Sequence, residues 1–230
     1  MNTHTFESRA DMQAALCNEL ALIVQRSLFA RSQSWLALAG GSTPLPIYAA
    51  LAKLPYDWAK VTAISTDERW VSTAHSASNV STLKLAFAGC NIAINQLVPE
   101  SISPGLAAEA NTANALLAKY RRNFDAMLLG MGEDGHFASL FPSAPAVLFD
   151  PENSQDAVCI TPDPLPPEAP FARISLSMSR ILRSDRLFLC ITGERKLAVL
   201  KGERTNKLPI DHLIAACVRQ NRSIDVYWSP

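Results

Sequence analysis

Long hydrophobic runs are missing from this chain. Its most apolar stretches reach roughly 8 residues, well short of the ~20 that a membrane-spanning helix needs. The first residues, MNTHTFESRADMQAALCNEL, hold no basic segment followed by an apolar core, so they are not expected to act as a secretory signal. Neither charge is in excess: Lys plus Arg number 21 and Asp plus Glu 21. That balance argues against the broad basic field that nucleic acid requires, and the pair Arg121-Arg122 reads as solvated helix surface. Paired cysteines are also lacking. Cys17, Cys90, Cys159, Cys190 and Cys217 are scattered, odd in number and never spaced C-x-x-C. They are expected to be buried free thiols in a reducing compartment, the cytoplasm.

What is present is ample apolar material. Hydrophobic residues make up 48% of the 230 positions and charged residues 18%, enough for a packed core and too apolar for disorder. Strand-like runs alternate with helical patterns along nearly the whole chain. Helices are expected at 8–31 (with Leu16, Leu20 and Ile23 on one stripe), 44–54, 78–88, 105–124, 194–202 and 209–219. Strands are expected at 35–41, 61–66, 125–130, 157–161, 173–178, 186–192 and 224–228. This alternation predicts a Rossmann-like α/β fold: one domain over 1–230, a mainly parallel sheet and helices on both faces. The segment 161–170 holds five of the fifteen prolines and is expected to be an ordered surface loop.

Three strand ends carry chemistry. At the first, Gly40, Gly41, Ser42 and Thr43 lie between a strand and a helix expected to carry Pro44 in its first turn. The turn either receives a phosphate on free N–H groups and hydroxyls or is a plain capped turn. At the second, Asp67, Glu68 and Arg69 follow a buried strand, where the crevice of an open parallel sheet lies. Arg69 could clamp a phosphate or carboxylate there. The competing reading is an internal ion pair with Trp70 as core filler.

The third is FDAMLLGMGEDGHFASLFP, from Phe124 to Pro142, whose Gly130, Gly132 and Gly135 fit G-x-G-x-x-G. A dinucleotide is not expected here. The turn carries Glu133 and Asp134 where a pyrophosphate would sit, Pro142 leaves little room for a helix, and no complete βαβ unit follows. The alternative is a turn that exposes His136, with Asp134 fixing its tautomer. An imidazole, with a reference pKa near ~6.5, suits general base catalysis. His136 as a helix cap is the other reading. There is no G-x-S-x-G elbow, and His4, His75 and His212 have no metal-ligand spacing with His136. Neither cofactor nor metal is expected.

Taken together, LAGGSTP, STDERWV, SNV, LLGMGEDGHFASLFP, RISLSM and ITGERK resemble the 6-phosphogluconolactonase family, in family order from Leu38 to at least Lys196. The related glucosamine-6-phosphate deaminases share the glycine turn and G-x-D-G-H but typically carry an aromatic residue where this chain has Arg69. The resemblance implies hydrolysis of 6-phospho-D-glucono-1,5-lactone in the oxidative pentose phosphate pathway, without a bound dinucleotide. It implies His136 as the base, with Asp134 orienting it or lining the pocket and Asp67 at the rim. Gly40, Gly41, Ser42, Thr43, Arg173 and Lys196 would hold the phosphate, and Arg69 the phosphate or the oxyanion. The expected partner is a small sugar phosphate lactone, with no nucleic acid and no membrane, acting on a monomer or weak homodimer. A deaminase–isomerase and a non-catalytic sugar-phosphate sensor are the alternatives.

Overall fold

The computed structural model describes residues 1–99, 105–202 and 206–230. The chain opens with β1 (Asn2–Thr5), α1 (Arg9–Arg31), β2 (Ser34–Leu38), α2 (Leu45–Leu51), β3 (Val61–Ser65) and β4 (Asp67–Arg69). It continues through α3 (Asn79–Ala86), β5 (Ala93–Asn95), α4 (Leu106–Leu117), β6 (Phe124–Leu129), β7 (Ala157–Ile160) and β8 (Arg173–Leu176). It closes with α5 (Met178–Leu182), β9 (Ser184–Thr192), α6 (Glu194–Lys201), α7 (Pro209–Arg219) and β10 (Ile224–Ser229).

Seven strands form one parallel sheet in the order β1-β10-β9-β6-β2-β3-β5. Its central strands are apolar on both faces, and side-chain alternation divides them between two cores. Leu36, Leu38, Ala126, Leu128, Phe188, Cys190 and Tyr227 face α1, α2 and α3. Trp35, Ala37, Met127, Leu129, Leu187, Leu189, Ile191, Val226 and Trp228 face α4 and α7. Fully burying one such large side chain is worth about 1.5–3 kcal/mol, so the sheet supplies much of the driving force for folding. The expected stripe of α1 is buried as read: Met12, Leu16, Leu20, Ile23 and Val24 all face inward. Ser8 caps that helix by accepting the Asp11 N–H.

Several expectations need correction. The runs at 157–161 and 173–178 are strands, but they stay outside the parallel sheet. With Asp67–Arg69 they make a separate antiparallel sheet, β4-β8-β7, whose apolar side packs on the α4 and α7 face. Apolar content marked them as strands, and only pairing decides which sheet they join. As β7 lies on the edge of that sheet, Cys159 is exposed rather than buried; all five thiols are free. The helix expected over 105–124 ends at Leu117, and 118–123 turn back toward β6. β1, β5 and α5 are too short for periodicity to reveal.

One buried carboxylate ties the start of the sheet together. Asp125 accepts the Trp35 N–H at 2.6 Å and an Arg122 N–H at 2.8 Å, and it pairs with Arg31 at the end of α1. Asp125→Ala leaves the Trp35 N–H buried without an acceptor. It should lower the unfolding free energy by about 2–4 kcal/mol in urea titrations. A change below about 0.5 kcal/mol would show that this contact is not structural.

Candidate active site

Consecutive strands run outward from β2 through β3 to β5, whereas β6 starts the opposite march through β9 to β10. The order therefore reverses between β2 and β6, and a crevice at their carboxyl ends is the expected ligand position. The two strands end level: the register pairs Leu38 with Leu128, and Ala39 N–H donates to the Leu128 carbonyl at 2.9 Å. A cleft of about 1260 Å³ opens here. Gly40, Gly41, Ser42, Thr43, Asp67, Arg69, Asp134, His136, Arg173 and Lys196 all line it. Every residue assigned to the site from the sequence thus lines one cavity, while Glu68, noted beside them, does not.

The loop after β6 is a closed turn. Gly132 N–H donates to the His136 carbonyl at 2.9 Å, and Gly135 N–H to the Gly132 carbonyl at 3.1 Å. Gly135 has φ +76, which L side chains adopt rarely, and its carbonyl accepts the Ile210 N–H at the start of α7. Phe137 and Leu140 are fully buried beyond it and fasten the loop to the core. Inside the turn, His136 Nδ1 lies 2.6 Å from Asp134 Oδ1, and the imidazole stacks on Phe141 with centroids 4.6 Å apart. Burial pushes the Asp134 carboxyl up, but the hydrogen bond and charge of His136 outweigh it and hold the group below its ordinary value. Asp134 is therefore ionised at neutral pH, and the stability it contributes is present above the usual carboxylate range and lost as pH falls through its lowered value. Residues 130–145 contain no helix, so the strand–turn–helix setting of a dinucleotide fingerprint is missing.

The first glycine turn differs from expectation in detail. Pro44 occupies the cap position of α2 rather than its first helical position, and no side chain caps the helix. The prolines at 44 and 46 admit the chain through a turn, held from α1 by Gln13, which donates to the Thr43 carbonyl at 3.0 Å. A side chain at Gly40 would collide with the Asn79 amide.

At the end of β3 the chain leaves the large sheet for the small one through Thr66, whose N–H donates to Leu38 and whose carbonyl accepts from Leu176. The internal ion pair that was the competing reading of this strand end is not what Glu68 makes among the described residues. Its carboxylate, fully buried, accepts the N–H groups of Arg69, Asn79 and Val80 at 2.7–2.8 Å and the Ser78 hydroxyl at 3.0 Å. It thereby anchors the start of α3 beneath the cleft. Burial raises its pKa, more than those N–H bonds lower it. Asp67 is held as well: Oδ2 accepts the Ser139 hydroxyl at 2.6 Å and Oδ1 faces the Asn79 amide at 3.3 Å. With only 9% of its surface exposed, it braces the wall more than it presents a rim carboxylate. Asn79 and Ser139 were not chosen from the sequence, and Glu68 was noted only beside Asp67 and Arg69 without a role of its own. An acidic residue about ten positions before the Ser-Asn helix start was the one available signal.

The two arginines are unusual. Arg69 and Arg173 are cross-strand partners in β4 and β8, a placement that like charges normally oppose. Arg173 is 3% exposed; one amino group donates to the Ala169 carbonyl, while Nε and Nη1 have no partner among the described residues. Arg69 donates to the Ala77 carbonyl at 2.6 Å, and its Nε lacks a partner among the described residues. Burial, then the Arg69 charge, lower the Arg173 pKa to about 10, against the pull of Asp67 and Glu68; it stays cationic at neutral pH. Lys196, near the start of α6, lies across the cleft end beside Cys190, whose thiol burial pushes up to about 12. Among the described residues no cluster of three or more His, Cys, Asp or Glu side chains could hold a metal ion, and no helix is long and apolar enough to cross a membrane.

Residues 7–228 match the family described as glucosamine-6-phosphate isomerases/6-phosphogluconolactonase. The chain belongs to this family. It is 30% identical to a 6-phosphogluconolactonase of Caulobacter vibrioides, with 97% of this chain and 95% of the relative covered. It is 29% identical to one of Pseudomonas putida, covering 100% and 93%. The crystal structure of a 6-phosphogluconolactonase from Shewanella baltica superposes with a TM-score of 0.88 at 30% identity, covering 100% of this chain and 98% of that one. The fold described above is thus shared with that structure.

A methyl group at Gly132 would fall well inside contact distance of both the His136 ring and the Asp134 carboxylate. Gly132→Ala should separate that pair at a cost of about 1–3 kcal/mol in stability. In proton NMR, the strongly deshielded resonance of an imidazole N–H bonded to a carboxylate should vanish. Its persistence would mean the loop absorbs the methyl group without opening the pair.

Proposed function

We propose that this chain hydrolyses 6-phospho-D-glucono-1,5-lactone to 6-phospho-D-gluconate, as part of the oxidative pentose phosphate pathway in the cytoplasm. The observation that carries this reading is the Asp134–His136 pair, standing in the same cleft as two arginines with unsatisfied donors. An acidic–imidazole pair supplies base catalysis, and orphaned cationic donors call for an anion.

With Nδ1 engaged by Asp134, the imidazole is fixed in one tautomer and Nε2 is left to act. It removes a proton from water as the oxygen bonds to C1 of the lactone. The tetrahedral intermediate then collapses, the C1–ring oxygen bond breaks, and the same nitrogen returns the proton to the departing oxygen. The phosphate end is bound by Arg173, Lys196 and the Gly40–Thr43 turn, with Arg69 completing the cationic wall. A dianion there satisfies the Arg173 donors and offsets the Arg69–Arg173 repulsion. Anchoring C6 in this way fixes the position of C1 relative to the base, which turns binding energy into rate. The lactone also opens unaided, so a modest acceleration suffices.

The test is a stopped-flow assay on freshly generated lactone. His136→Ala should lower kcat by about 10²–10⁴-fold with melting close to wild type. Near wild-type turnover would remove His136 as the base. Ammonia release from glucosamine 6-phosphate, measured alongside, would favour the deaminase branch of the family.

Lys196→Ala should raise KM by about tenfold or more while kcat and the melting temperature change little. An unchanged KM would take Lys196 out of the phosphate site.

A further inference from the structure

We propose that His75 is a positioning residue for Arg69, acting through the backbone of Ala77, so that substrate affinity depends on an imidazole that touches no substrate atom. The inference rests on the reading of Arg69 as part of the anion-binding wall.

Arg69 has every electrostatic reason to leave the cleft. It stands opposite Arg173 in the β4–β8 register, and among the described residues its Nε has no partner and no carboxylate lies within ion-pair distance of its guanidinium. A flexible side chain so placed would swing to solvent and away from its neighbour's charge. One hydrogen bond opposes that: Nη1 donates to the Ala77 carbonyl at 2.6 Å. The position of the guanidinium is therefore set by the carbonyl of Ala77, a residue that itself lines the cleft.

Ala77 ends a loop, residues 72–77, and its N–H, on the other side of its Cα from that carbonyl, is held by His75. Ala77 N–H donates to His75 Nδ1 at 3.0 Å, so Nδ1 serves as the acceptor in this contact. The backbone of His75 closes the same loop at both sides: its N–H donates to the Ser72 carbonyl at 2.8 Å, and its carbonyl accepts the Ser78 N–H at 3.0 Å. The ring meets Phe171 edge-on at 5.3 Å, and Trp70 N–H donates to the Ala172 carbonyl at 2.8 Å. His75 thus links the Arg69 peptide anchor to the segment that follows the proline-rich wall. It is exposed, which makes a core-packing role a poor explanation for its two-sided contacts.

Substitutions separate an acceptor from mere bulk. Asparagine can place its carbonyl oxygen near the position of Nδ1, whereas leucine fills similar space without accepting. His75→Leu should raise KM for 6-phosphogluconolactone by about two- to tenfold, the worth of one hydrogen bond, with kcat within about twofold and melting unchanged. His75→Asn should recover most of the affinity. In an Arg69→Ala background His75→Leu should add nothing, because the group it positions is gone. An unchanged KM in His75→Leu, equal losses in the leucine and asparagine variants, or additive losses with Arg69→Ala would each overturn the role of His75. If Arg69→Ala itself leaves KM unchanged, the anion-binding reading of Arg69 fails first, and the positioning role falls with it.

Discussion

The hydrogen-bonded ladder between β2 and β6 is the constraint from which the rest of the cleft hangs. These strands are distant in sequence and buried on both faces, and their register makes their carboxyl ends level. A shift by one residue would turn Leu36 and Leu38 toward the wrong helices, so the two cores lock the pairing. Because the ends are level, the Gly40–Thr43 turn and the Gly130–His136 loop open into one cavity instead of two. The ladder also fixes where β3 ends, and so where the chain crosses through Thr66 into the small sheet.

The small sheet converts that geometry into an electrostatic arrangement. It brings Arg173 from late in the chain opposite Arg69 from early in it, and burial deprives Arg173 of water while Arg69 stays half-buried. Asp67 and Glu68 are close enough to temper the repulsion but are occupied elsewhere, one by Ser139 and Asn79, the other by the start of α3. The result is a cationic wall with donors to spare facing a carboxylate-bound imidazole. Charge balance over the whole chain conceals this, since the separation of sign is local to one cavity.

Much of this was readable in advance because local rules govern it. The strands of the main sheet with long apolar runs, the stripe of α1 and the turn presenting Asp134 and His136 follow from period, composition and glycine placement. Three kinds of feature were not readable. Strands of three or four residues such as β1, β4 and β5 carry too little pattern. Glu68 looked like an ion-pair partner because a carboxylate next to an arginine gives no hint that distant backbone N–H groups will claim it. Cys159 sits in an apolar run like its buried counterparts, and only its edge position exposes it.

By itself, the sequence determined the longer elements, their alternation and the chemistry carried on each strand end, since these depend on residues near one another along the chain. Tertiary structure alone decided which strands share a sheet, that Arg69 faces Arg173, and which carboxylates are free to act. Those outcomes depend on pairing and burial between segments separated by tens of residues. There, hydrogen-bond satisfaction across the whole fold outweighs the preference of any single stretch.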